Sequence, residues 1–120
     1  MGLRRTSSLN VIRLGSNLAP NGAAMFKVQY IKETPSGVPT EGDPDTIRVE
    51  VQRPDGVQMV ANYPAESEDS ELVSISKIWA GNYAVQVYLG TLTGRWRMKV
   101  ITNNGYGPTE EVEFQVAPAT

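Results

Sequence analysis

Residues 81–116 read GNYAVQVYLGTLTGRWRMKVITNNGYGPTEEVEFQV, three runs with an apolar residue at every second position, separated by turn formers. Successive β side chains point to opposite faces, so this period puts Tyr83, Val85, Val87 and Leu89 on one side of a strand. Trp96, Met98 and Val100 do the same in the second run, and Val112, Phe114 and Val116 in the third. Nowhere do apolar residues recur at i, i+3, i+4 and i+7 over the length of a helix. The block therefore predicts an antiparallel β-meander. Arg95, Arg97 and Lys99 then point away from the core, opposite Glu111 and Glu113, and each such cross-strand pair supports the register by about 0.2–1 kcal/mol. Within residues 103–109, Asn104 followed by Gly105 favours the positive φ of a tight turn.

The upstream chain continues the pattern. Phe26, Val28 and Tyr30 alternate with Lys27, Gln29 and Ile31 as a first strand. Residues 34–44 hold three prolines and two glycines, which predicts a surface loop. Ile47, Val49 and Val51 alternate with Arg48, Glu50 and Gln52. Pro54, Asp55 and Gly56 then form a hairpin turn, after which Val57 and Met59 are expected inward. Residues 64–71 carry four acids and no large apolar group, so they read as a loop, followed by a short strand through Val73 and Ile75. About seven short strands with turns every 8–12 residues describe an all-β sandwich. The organisation expected is an extended N-terminal arm at 1–22, with room for one edge strand, a sandwich at 23–117 and a short tail at 118–120.

Composition removes most chemistry. At 120 residues with 40% hydrophobic and 20% charged side chains, the chain fits one globular domain. It has no His and no Cys. That leaves carboxylates, Lys, Ser and Tyr as possible catalytic groups, excludes disulfides and thiolate metal sites, and suits a reducing cytoplasm. No apolar run approaches the roughly 20 residues of a membrane helix. The first residues lack the apolar stretch of a secretory signal, so no membrane partner is expected. The net charge of −2 argues against nucleic acid as a partner. Its distribution is uneven: Arg4, Arg5 and Arg13 make residues 1–20 basic, and the remainder is acidic. A basic arm on an acidic body can dock onto an acidic neighbour, an identical subunit included.

Two acidic clusters are candidate sites: Glu41, Asp43 and Asp45, and Glu66, Glu68, Asp69 and Glu71. A glycosidase pair needs one carboxyl raised by an apolar pocket, and neither cluster has one in sequence. Calcium would suit the oxygens of residues 41–45, but the spacing of an EF-hand loop is missing. Solvated loops account for both clusters, and no cofactor is expected. Among aromatics, Trp96 falls on the inward face. Trp79 precedes a strand at the sandwich rim, Tyr88 points outward and Tyr106 sits at a loop tip. These three, with Arg4, Arg5 and Arg13, are the candidate interface residues. Capping of the core by Trp79, and packing of Tyr106 on its own loop, explain the same positions.

The order of four motifs resembles a family. Pro54, Asp55 and Gly56, then Gly81 and Tyr83, then Gly94, Trp96 and Arg97, then Glu111, Phe114 and Val116 are similar to short immunoglobulin-like proteins among the virion structural genes of tailed bacteriophages. The resemblance covers residues 43–116. It implies an immunoglobulin-like antiparallel β-sandwich with no enzymatic activity, located in the virion after assembly in the host cytoplasm. The implied place is a neck or head–tail connector, or a capsid decoration. The implied partners are other virion proteins (portal or neck, tail or major capsid protein), with the chain a homo-oligomer or present in many copies per particle. A carbohydrate- or cell-surface-binding module acting through Trp79, Tyr88 and Tyr106 is the alternative.

Overall fold

The computed structural model describes residues 7–15, 18, 20–33 and 39–118, with the side chains of 33 and 39–41 excepted. Nine strands are described: β1 (Ser8–Leu14), β2 (Ala23–Glu33), β3 (Pro39–Glu41), β4 (Ile47–Gln52), β5 (Gln58–Tyr63), β6 (Val73–Trp79), β7 (Asn82–Tyr88), β8 (Gly94–Thr102) and β9 (Thr109–Val116). One sheet has the order β1-β2-β7-β6, with β3 paired to β2, and the other has the order β5-β4-β8-β9. All ladders are antiparallel. Four strands facing four in this order match the ABED and C′CFG sheets of the immunoglobulin-like sandwich, with β3 added between B and C.

Alternation sets the core as expected. Val49, Val51, Val85, Val87, Met98 and Val100 are fully buried, and burying side chains of this size stabilises by about 1.5–3 kcal/mol each. Phe114 joins the sheets: its ring centroid lies 5.3 Å from Phe26 on β2 and 5.8 Å from Trp96, on which it stacks. Antibody domains link the B and F strands by a disulfide at the sandwich centre. Here the same strands, β2 and β8, are joined through rings.

The fold departs from the sequence reading in four places. Two more strands are present than the seven expected, because residues 8–14 form the edge strand for which the arm had room, and because residues 39–41, expected in a loop, pair with β2. Leu9 on β1 is buried in the core. Pro39 opens β3, the position in a strand that tolerates a missing N–H. Val57 is exposed rather than inward, since Arg53 N donates to Val57 O at 2.9 Å and the turn extends that far. Trp79, expected before a strand, does precede β7 but is itself the last residue of β6.

Candidate functional site

The outer faces of the two sheets differ in charge, and the difference follows from strand register. On the β5-β4-β8-β9 sheet, Glu50 faces Lys99, which faces Glu111; one row along, Gln52 faces Arg97, which faces Glu113. With Arg48 and Arg95 this face carries seven charged residues. Five of them form ion pairs: Arg97 Nε lies 3.1 Å from Glu113 Oε1, Arg95 Nε 3.9 Å from Glu113 Oε2, and Arg48 Nε 2.9 Å from Glu50 Oε2. The contacts of Arg95 and Arg97 to Glu113, with Lys99 opposite Glu111 in the ladder, give the cross-strand register support expected from sequence.

The opposite face is built from Ile12 and Leu14 of β1, Met25, Lys27, Gln29 and Ile31 of β2, Ala84, Gln86 and Tyr88 of β7, and Ser74 and Ser76 of β6. Lys27 is the one charged residue among the described side chains there. Ile12 (50%), Leu14 (47%) and Tyr88 (47%) are exposed on it. Trp79 joins them by a register slip. The β6–β7 pairing shifts between Lys77 and Trp79, leaving Ile78 outside the ladder and setting Trp79 opposite Asn82, as a β-bulge does when it re-aims a side chain. The indole lies over the face, with Lys27 Nζ 5.7 Å from its ring centroid, within cation–π range. Asn82 is buried and its Nδ2 donates to Ala80 O at 3.0 Å.

The sequence-derived candidates separate into two places. Trp79 and Tyr88 share this face but stand at opposite ends of β7, six residues and therefore about 20 Å apart at roughly 3.3 Å per residue. Tyr106 is almost wholly exposed on the β8–β9 loop. Arg13 stands on β1 opposite Phe26 in the register. Arg4 and Arg5 lie outside the described residues. Sequence reasoning missed Ile12, Leu14 and Lys27, since an edge strand apolar on both sides hides which side faces outward.

At the Tyr106 end the loops are fastened. Asn103 N donates to Thr46 O at 2.9 Å, Asp45 N donates to Asn103 Oδ1 at 2.6 Å, and Asn104 N donates to Thr46 Oγ1 at 3.1 Å. Asn103, Asn104 and Gly105 all have positive φ, the last two as the motif predicts. Asp43 is tied rather than merely solvated: its carboxylate accepts from Lys77 Nζ, from Gly81 N at 2.9 Å and from Tyr83 Oη at 2.7 Å. Asp69 likewise accepts from Asn62 Nδ2 at 2.8 Å and Glu66 N at 2.9 Å. Both carboxylates thus serve to fasten loops.

Hydrogen bonds from Lys77, Gly81 and Tyr83, the first being the largest influence, hold the Asp43 carboxyl down from 3.8 to about 2. Burial, followed by Asp43, pushes the Tyr83 hydroxyl up. A carboxyl depressed in the folded state stabilises above its unfolded pKa and loses that contribution as pH falls. The wild-type melting temperature should therefore drop between about pH 4 and pH 2. Asp43→Asn should start lower at neutral pH and lack that part of the drop. Parallel curves for the two proteins would remove Asp43 from the acid transition.

No protein-family model matches the chain, and no curated protein matches it in sequence. Solved structures do. Part of the chitinase ChiW from Paenibacillus sp. strain FPU-7, a cell-surface-expressed multi-modular enzyme, matches 97% of the chain at a TM-score of 0.57 and 17% identity. The chain spans 9% of that enzyme's length. The Lin-41 filamin domain matches at 0.52 and 16% identity, over 86% of this chain and 87% of that one. Murine CRIg gives 0.52 at 11% identity, over 95% and 98%. The shared fold is immunoglobulin-like. At such identities the likeness carries the fold and nothing finer.

Proposed function

We propose that the chain is a non-enzymatic structural protein of a tailed-phage virion, held to neighbouring virion proteins by the outer face of its β1-β2-β7-β6 sheet. The observation that carries this reading is the partition of charge: one face interleaves seven charged residues, four basic and three acidic, five of them in ion pairs, and the other offers Ile12, Leu14, Trp79 and Tyr88 around a single lysine among the described side chains. Interface cores are depleted in charge and enriched in aromatics. The motif order from Pro54 to Val116 supports the virion assignment. Neck, tail and capsid surface each provide neighbours for such a face in many copies.

Particles carrying Trp79→Ala together with Tyr88→Ala should hold far less of the protein. Each truncated anchor of this type weakens an interface by about 2 kcal/mol or more, roughly 30-fold. Both side chains are half exposed, so the isolated domain should melt as the parent does. Arg97→Ala on the paired face serves as the control, with occupancy unchanged. Equal occupancy for all three particle types would sink the proposal.

The carbohydrate reading rests on the two exposed aromatics, Trp79 and Tyr88, on one face. The geometry narrows it, because about 20 Å between Trp79 and Tyr88 spans several sugar rings rather than one. Oligosaccharides that perturb tryptophan fluorescence, in a manner lost with Trp79→Phe, would favour that reading over docking to protein.

A further inference from the structure

Away from the Tyr106 loop, where β7 ends and β8 begins, the two sheets part around a cavity of about 460 Å³. That volume lies within the roughly 300–1,000 Å³ of small-molecule sites. Its base is core: Met59, Leu89 and Trp96 all line it and all are buried. Leu72 and Tyr88, each nearly half exposed, stand at the opening. Besides Tyr88 and Trp96, the polar side chains along it are those of Asn21, Arg53 and Thr91, and no carboxylate is among the lining residues.

Two details indicate what would fill it. Trp96 Nε1 is the one buried side-chain polar atom without a hydrogen-bond partner among the described residues. An orphaned buried donor costs about 1–3 kcal/mol, and Met59, which also lines the cavity, is the kind of flexible side chain that yields to an entering group. Arg53 is the sole charged lining residue. Asp55 accepts from its Nε and one terminal nitrogen, and a guanidinium has five N–H donors in all, so the others remain for a ligand. Both side chains ask for an acceptor, Arg53 through the three N–H donors left beyond its pair with Asp55, and the base asks for an apolar body.

We propose that this cavity binds a small aliphatic carboxylate, its apolar body on Met59, Leu89 and Trp96 and its head toward Arg53. The site is separate from the docking face, except that Tyr88 belongs to both. The same head and body occur on a free medium-chain acid and on the C-terminal residue of an apolar peptide.

The test is a titration of the ¹⁵N-labelled protein with octanoate, with octanol and with N-acetyl-Leu-Leu bearing a free carboxylate, following the two indole N–H signals. Trp79 sits at the far end of β7 and is the internal reference. Octanoate or the peptide should shift the Trp96 signal saturably and leave that of Trp79 in place, and the tighter of the two identifies the source. Octanol should bind about fivefold or more weakly, and Arg53→Gln should reduce octanoate to the level of octanol. Leu72→Glu, at an exposed position of the opening, should abolish the shift without unfolding the domain. No saturable shift, equal movement of both indoles, or indifference to Arg53→Gln and Leu72→Glu would overturn the assignment.

Discussion

Gly81→Ala should lower the melting temperature by about 10–20 °C, from a loss of roughly 3–4 kcal/mol in a domain of this size. Gly81 has φ of +75°, and a Cβ there would stand 2.6 Å from Tyr30 O and 3.0 Å from Gly42 O. The left-handed backbone alone costs an L-residue about 1–2 kcal/mol. Relieving the contact costs about 1–3 kcal/mol more, because both obstructing atoms are backbone. It would also pull apart the hydrogen bonds that Gly81 makes, from its N to Asp43 and from Tyr30 N to its O at 2.7 Å. Gly56 supplies the comparison, with φ of +88° and no atom within 4 Å of where a methyl would stand. Gly56→Ala should show the conformational part alone. Equal losses for the two variants, measured by thermal melts, would mean that the crowding at Gly81 is immaterial.

Phe114→Ala should cost about 3–5 kcal/mol, a large share of the roughly 5–15 kcal/mol that stabilises a domain. Phe114 is buried and is the ring that both Phe26 and Trp96 touch. Its loss removes an anchor of β9 and leaves a void against the two remaining rings. Phe114→Leu, which keeps most of the volume, should cost under about 1.5 kcal/mol. Denaturant midpoints with unchanged slopes would measure both. If the alanine variant lost no more than the leucine variant, the aromatic contacts would not be what joins the sheets.

These two positions also mark how far the sequence can be read. Phe114 is legible, because its alternation with Val112 and Val116 assigns it inward without reference to anything distant. The faces of β4, β7, β8 and β9 are legible for the same reason. Gly81 is visible as a turn former, yet its crowding depends on Tyr30 and Gly42, 51 and 39 positions away in sequence. The tie from Asp43 to Lys77, Gly81 and Tyr83 is of the same kind, and an acidic loop gives no local sign of it. Strand β1 is obscured by apolar residues on both of its sides: Leu9 inward, and Ile12 and Leu14 on the open face. The bulge at Ile78 breaks the period of two just before Trp79, so the pattern suggests a shorter strand than β6. The proposed docking face is therefore only half visible in the sequence, through its aromatics.

The fastening of the β8–β9 loop to residues 45 and 46 bears on how Tyr106 would meet anything. Four hydrogen bonds join the two segments, counting Thr46 Oγ1 to Asn104 Oδ1 at 3.3 Å, and Asn103 Nδ2 reaches Tyr30 Oη at 3.3 Å. The ring is thus presented on a post whose backbone is already ordered. Contact with a partner would freeze little beyond the two torsions of the tyrosine itself, where a free loop would surrender about 1–2 kcal/mol of conformational entropy for each residue immobilised.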